Sequence, residues 1–509
     1  MKLKQLIAFV LILLMLLPIL CACGDSKGGE ESTPEETTAD QAPPKEEEST
    51  KNQDIVCGSD KPYTVKIFGG DAPSGSGSGF HCDDIYIPEY GESNQIAAAV
   101  YARNQKMEED FNCRIELVLP SNSGQNILGD LKRAYENGTA YDLTVLPSFH
   151  LASAATQGLL RDLNTAEALD LKNPSFDQNA VKQLALANKL YFVSGDMNAT
   201  AADNIDATIV NLELFEEKKE TFAEVFGDPD YADIFRLVEE HRWTVETMLT
   251  MAEYTNYDAV PNDGKLDYQK GDTVGYFQYL TAPLAYFYGM GGRITEQDES
   301  GDIAFAIDGE RSEQVLSYLY RNMVEDWIPN GASAYRKTWF YSGNCLFTEM
   351  NFGDIRKGPH LNDPVRYAVL PIALYEEGDA YQNLIQIRTN SFLWSIPTQG
   401  TQHSGLLMMI FATYSTQHTV EAYRNVVLYE DMVDSVGQQK AWEIIRQSFT
   451  YDLATLYDWG GFMNIIKQAD LTTQNRIQLK LQRIDDIQKS MQQTIEQFKN
   501  PVYVPLTKE

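Results

Sequence analysis

The body of this chain is predicted to be α/β and built as two lobes. Three observations lead there. Residues 61–509 are more than one simple hydrophobic core holds, which points to two packed bodies. Composition is that of an ordinary globular protein, 43% hydrophobic and 22% charged. Strand patterns alternate with helix patterns through the first part of the body. That alternation implies right-handed crossovers and a mainly parallel sheet covered on both faces.

In chain order, two lysines, Lys2 and Lys4, precede an apolar run from Leu6 to Leu20. A basic start, a short apolar core and a small residue before the cut make a secretory signal. The run is shorter than the ~20 residues of a spanning helix. Leu20-Cys21-Ala22-Cys23-Gly24 resembles the lipobox of bacterial lipoproteins. The cut falls before Cys23, because Ala22 is small and Leu20, before Cys21, is bulky. The resemblance implies that residues 1–22 are a signal peptide and that Cys23 carries the lipid. It places the protein on the extracellular face of the cell membrane. Residues 23–60 are rich in Glu, Thr, Pro and Lys, offer little to a core, and read as a disordered tether.

Tyr63 to Phe68 reads as a strand. It runs into Gly69-Gly70-Asp71 and a Gly/Ser loop. Ser93-Asn94 suits a helix cap, with Ile96, Val100, the stem of Arg103, Met107 and Phe111 on one face. Residues 115–119 form the next strand. Ile127, Leu131 and Tyr135 mark a helix that Asn137-Gly138 stops. Residues 141–146 return to strand. The tail keeps helical spacing through Ile477, Leu481, Ile484, Ile487, Met491, Ile495 and Phe498. Trp243, Trp327 and Trp442 lie in helical contexts and read as packing; Trp339 and Trp394 are left open. Cys57 and Cys82 are free to pair in an oxidising compartment. Cys113 reads as a small buried residue.

The order of motifs resembles the family 1 extracellular solute-binding proteins. These are the oligosaccharide-binding subunits of ABC importers, related to maltose-binding protein. Met107 to Phe111 followed by Cys113-Arg114-Ile115 resembles that family's first crossover. Tyr141-Asp142-Leu143 with Gly158 to Leu163, then Lys189 to Val193, look like the blocks leading to its hinge. Thr208 to Asn211 with Leu214-Phe215, Arg242 to Glu246, Gly343 to Met350 and Val369-Leu370-Pro371 resemble the blocks of its second lobe. Residues 216–241 and 255–272 look like insertions. The resemblance implies a two-lobe periplasmic-binding-protein-like fold, with hinge strands and an interlobe ligand cleft. Crossings are expected near 204–208 and 385–393. Lobe one is expected over 61–203 plus 394–447, and lobe two over 207–390 plus 448–509.

A sugar ring has an apolar face and a rim of hydroxyls, so its site needs an aromatic plane and carboxylates or amides. In parallel sheets ligands bind beyond the carboxyl ends of strands. Asp71, Ser148 and Phe149 stand at such ends, and Asp196 near the hinge. Tyr279 precedes Leu280-Thr281-Ala282-Pro283, which resembles the family's aromatic cleft segment. Glu349 and Asn351 end a strand. Trp459, between Asp458 and Gly460-Gly461, lies where the family carries a stacking aromatic. The glycines are expected to leave its indole uncovered.

A formal charge of −32 repels nucleic acid and anionic lipid. No nucleophile elbow, zinc-protease helix, phosphate loop or dinucleotide fingerprint occurs. No metal or cofactor is expected. The reading is a monomeric, lipid-anchored binding protein that hands a small solute, a sugar, to ABC permease subunits. A secreted glycoside-active enzyme, or a surface adhesin or sensor on the same fold, are the alternatives. With 73 acidic residues, paired carboxylates carry no information from sequence alone.

Overall fold

The computed structural model describes residues 55, 60–69, 84–85, 94–121, 127–259, 267–298, 301–323, 328–331, 333–356, 365–386, 392–428, 435–468, 470, 472–503 and 505. All of these belong to the compact unit Asn52–Glu509. The signal peptide, the tether, Cys23, Cys57, Asp71, the Gly/Ser loop, Cys82 and Trp327 lie outside the described residues.

Strand β1 (Tyr63–Gly69) is followed by helix α1 (Gln95–Asp110), β2 (Cys113–Val118), α2 (Ile127–Glu136), β3 (Leu143–Pro147) and α3 (Ser148–Thr156). The local signals are those expected. Asn94 Oδ1 accepts the Ala97 N–H at 2.9 Å and opens α1. Gly138, in the left-handed region at φ 69°, follows the end of α2. Arg103 goes beyond its expected role as an apolar stem. Its guanidinium is fully buried, donates to Asn104, Ser415 and the Asp84 carbonyl, and lies 5.1 Å from the Phe411 ring. A buried cation is tolerable only when held in this way.

β4 (Asp206–Asn211) opens a second sheet and leads into α4 (Leu212–Phe226). Thr244 Oγ1 accepts the Thr247 N–H at 3.1 Å and caps α5 (Val245–Thr255). Then come β5 (Val274–Tyr279), α6 (Ala282–Gly289), a hairpin of β6 (Thr295–Gln297) and β7 (Ile303–Phe305), and β8 (Asn330–Gly331). α7 (Ser333–Tyr341), β9 (Cys345–Asn351), α8 (Phe352–Arg356) and β10 (Tyr367–Leu370) complete this part. β11 (Asn383–Leu384) leads to β12 (Phe392–Ser395), and helix α9 (Ser404–Val427) packs back on α1. α10 (Val436–Gln447) and β13 (Phe449–Thr450) precede the helical tail.

The first sheet has the order β12-β3-β1-β2 and the second β10-β4-β9-β5-β8. β1 is parallel to β2 and β3, as expected. β12 is antiparallel to β3, and β4 is antiparallel to both β9 and β10. The expectation of mainly parallel pairing therefore holds for the crossover strands and fails for the strands that enter from the other sheet. The reason is direction. A crossover strand ends at the edge where the sheets connect, whereas β4 and β12 begin there. Phe392 stands opposite Pro147, and Asp206 opposite Asn351. The connecting segments also pair with each other, through the Ile205–Ile385 bridge and the Gln386 N–H on the Asn204 carbonyl at 3.0 Å.

Trp243, Trp339 and Trp394 are fully buried, and Trp442 nearly so. Cys113 and Cys345 are buried and unpaired. The tail forms helices over Thr473–Leu481 and Ile484–Lys499 (α11). Its end departs from the expected place in the second lobe. The Tyr191 hydroxyl donates to the Phe498 carbonyl at 3.0 Å, and the Tyr503 ring lies 4.5 Å from Tyr135 of α2. The tail thus closes over elements of the first sheet. No helix of the described residues is long and apolar enough to cross a membrane.

Candidate functional site

The strand ends facing the crossings define the site. On the second sheet they bring Tyr279, Glu349 and Asn351 together. Tyr279 ends β5, and its N–H donates to Glu349 Oε2 at 3.0 Å. The Tyr286 hydroxyl donates to Glu349 Oε1 at 2.8 Å. Glu349 is completely enclosed, and burial raises its carboxyl pKa. It is therefore a structural anchor for the end of β5, not a ligand-facing rim group as expected. Asn351 Oδ1 accepts the Asp354 N–H at 2.7 Å and so caps α8. Its Nδ2 donates to Asp354 Oδ2 at 3.4 Å.

Two further residues complete this cluster. Asp206, the first residue of β4, accepts the Gln386 amide at 2.8 Å. Burial pushes its pKa up to about 6, against the pull of the Arg336 charge. Arg336 of α7 is fully buried. Its guanidinium lies 4.3 Å from the Tyr279 ring centre and 3.9 Å from Asp354. Among the described residues, none of its Nε, Nη1 and Nη2 atoms has a hydrogen-bond partner. The stacking and the flanking carboxylates hold it electrostatically. Lys337, next along α7, pairs with Asp354 at 2.8 Å.

On the first sheet the expected pair at the end of β3 separates. Ser148 is fully buried at the start of α3, with no surface open to solvent. Phe149 is half-buried, packs on the core, and has its ring 4.0 Å from that of His150.

Asp196 lies apart, in the first connecting segment. It accepts the Thr416 hydroxyl at 2.7 Å and Arg446 Nη2 at 2.8 Å, tying α9 and α10 to that segment. Burial raises its pKa. It lines a cavity of about 590 Å³ with Phe176, Asn198, Tyr423 and Trp442. Asp203, a few residues on, takes a forked ion pair from Arg356 of α8 and the Tyr423 hydroxyl of α9 at 2.8 Å. This carboxylate fastens the second sheet's edge to the first sheet's long helix. A single Asp in Ala201-Ala202-Asp203-Asn204 carries no local signal of this role.

Trp459 overturns its expected role. The glycines do let the backbone turn, with Gly460 at φ 77° and Gly461 at φ 67°. That turn tucks the indole inward. Trp459 is 4% exposed, stacks on Tyr457 at 5.2 Å and 11°, and donates Nε1–H to Thr494 Oγ1 at 3.0 Å. The cover is α11, more than twenty residues away in sequence. Among the described residues no group of three or more His, Cys, Asp or Glu is arranged to hold a metal ion.

No family model matches the chain, and no curated protein matches it. Solved structures do. A cyclo/maltodextrin-binding protein complexed with maltotetraose matches with a TM-score of 0.50 and 12% identity, over 87% of this chain and 98% of that one. The extracellular solute-binding protein of Staphylococcus aureus, solved with maltose, matches with a TM-score of 0.53 and 13% identity, over 85% and 99%. The chain has the two-lobe α/β fold of these binding proteins.

Proposed function

We propose that this protein captures a carbohydrate between its two sheets and presents it to an ABC importer. The observation that carries this reading is the shared crossing edge. The strand ends of both sheets, with Tyr279 and Asn351 on one and Phe149 on the other, meet the segments that join them. Ligands of open α/β sheets bind beyond such ends. Carbohydrate as the solute class rests on fold analogy with the maltose- and maltotetraose-bound relatives. Lobes over 61–203 plus 394–447, with the end of the tail packed on them, and over 207–390 would close by bending at the connecting segments. Within this reading Cys23 carries the lipid, the extracellular face of the membrane is the working place, and permease subunits are the partners.

The test is titration of the purified protein with neutral and acidic oligosaccharides, following thermal stabilisation and products together. Saturable stabilisation without product is expected. Cleaved product would favour the glycoside-active enzyme. Binding only to polymers or a host protein would favour the adhesin. The anchor is tested separately: Cys23→Ala should abolish fatty-acid labelling and membrane retention, and retention of an unlabelled wild type contradicts it.

A further inference from the structure

The buried cluster at the second sheet's edge is flanked by two open side chains. Leu280, directly after Tyr279, is 52% exposed, and Tyr335, directly before Arg336, is 51% exposed. Large apolar side chains this open are few among the described residues; Tyr254, Tyr257, Val436, Leu479 and Val502 are the others. Only Leu280 and Tyr335 adjoin the strand-end cluster. Isolated exposed apolar residues need no explanation; two of them beside a strand end at the crossing edge do.

Tyr335 is also held in place. Its ring meets that of buried Phe277 on β5 edge-on, at 5.6 Å and 75°. One contact fixes the ring while half of its surface stays open. The neighbouring aromatic is less free, because the Arg336 guanidinium covers a face of Tyr279 at 4.3 Å. Trp459 is enclosed. Among the described aromatics beside this strand-end cluster, Tyr335 is thus the most open.

The charge around it nearly balances. Asp206, Glu349 and Asp354 stand against Arg336 and Lys337, with Lys337 on Asp354 at 2.8 Å. An anion finds no net counter-charge here.

We infer that Tyr335, with Leu280 beside the same strand end, is the platform on which the second lobe stacks the apolar face of a neutral pyranose ring. This rests on the carbohydrate reading above and adds to it the contact residue and the charge class. A sugar's C–H face on a phenol ring keeps its hydroxyl rim free for polar partners.

Calorimetry with maltotriose, cellotriose, xylotriose, mannotriose and trigalacturonate tests it on wild type, Tyr335→Ala, Tyr335→Phe and Leu280→Ser. At least one neutral trisaccharide should bind wild type more tightly than trigalacturonate. Tyr335→Phe should stay within about twofold, Leu280→Ser should weaken several-fold, and Tyr335→Ala by about tenfold or more. Tyr335→Ala within twofold of a binding wild type overturns the platform and leaves the carbohydrate reading standing. Preference for trigalacturonate overturns the neutral-ring assignment. A wild type that binds none of the five overturns both.

Discussion

Trp459 and Tyr335 are both aromatic residues beside polar neighbours, and the structure treats them in opposite ways. Trp459 sits in a glycine turn that reads as open, yet it is 4% exposed, with its indole N–H bonded to Thr494. Tyr335 sits in a helix, where an aromatic usually reads as packing, yet it is 51% exposed at the edge where the chain crosses between sheets. Local chemistry says what a side chain is able to do. What covers it is decided by elements far away in sequence, here α11 over Trp459.

The largest effect that sharpens this contrast is expected at the covered residue. Trp459→Ala removes a buried indole and leaves Thr494 without its donor. It should cost about 3–5 kcal/mol, read as a lower midpoint in denaturant unfolding without ligand. A midpoint near that of wild type would return Trp459 to the list of ligand contacts.

An intermediate effect tests the buried charges below the platform. Asp206 has its pKa raised from 3.8 to about 6. Between those values the native state holds a proton that the unfolded state has lost, so stability falls as pH rises through the window. Asp206→Asn removes this dependence and keeps an oxygen to accept the Gln386 amide. The variant should match wild type below about pH 4 and gain up to about 3 kcal/mol above pH 6. Parallel unfolding curves at pH 4 and pH 7.5 decide it; a variant less stable than wild type at pH 7.5 means that Asp206 serves mainly as the Arg336 counter-charge.

The smallest effect is expected at the open residue. Tyr335→Ala should change apo stability by no more than about 0.5 kcal/mol, as for other surface positions. A loss comparable to that of Trp459→Ala would make Tyr335 a packing residue and erase the contrast.

How much of this was legible follows the same division. β1 to β3 and the helices between them were readable, because period-two and helical patterns, the Asn94 cap and the Asn137-Gly138 stop are local. Arg103 was placed on the correct helix face, but its buried bonds to Ser415 and Asp84 were not visible, since both partners are distant. Antiparallel entry of β4 and β12 depends on which edge the chain crosses, and that is a property of topology. Glu349 was placed at the correct strand end, yet its enclosure by Tyr286 and the Tyr279 backbone was not foreseen. Arg336 lies in Ser333-Ala334-Tyr335-Arg336-Lys337. Nothing in that stretch announces a guanidinium buried against Tyr279.

The central claim is that a solute is held between two bodies that close on it. Small-angle scattering on the purified protein, with and without a saturating bound oligosaccharide, measures this directly. The radius of gyration should fall on binding, as the connecting segments at Ile205 and Ile385 bend. An unchanged radius at demonstrated saturation would mean a rigid pocket and contradict capture by closure.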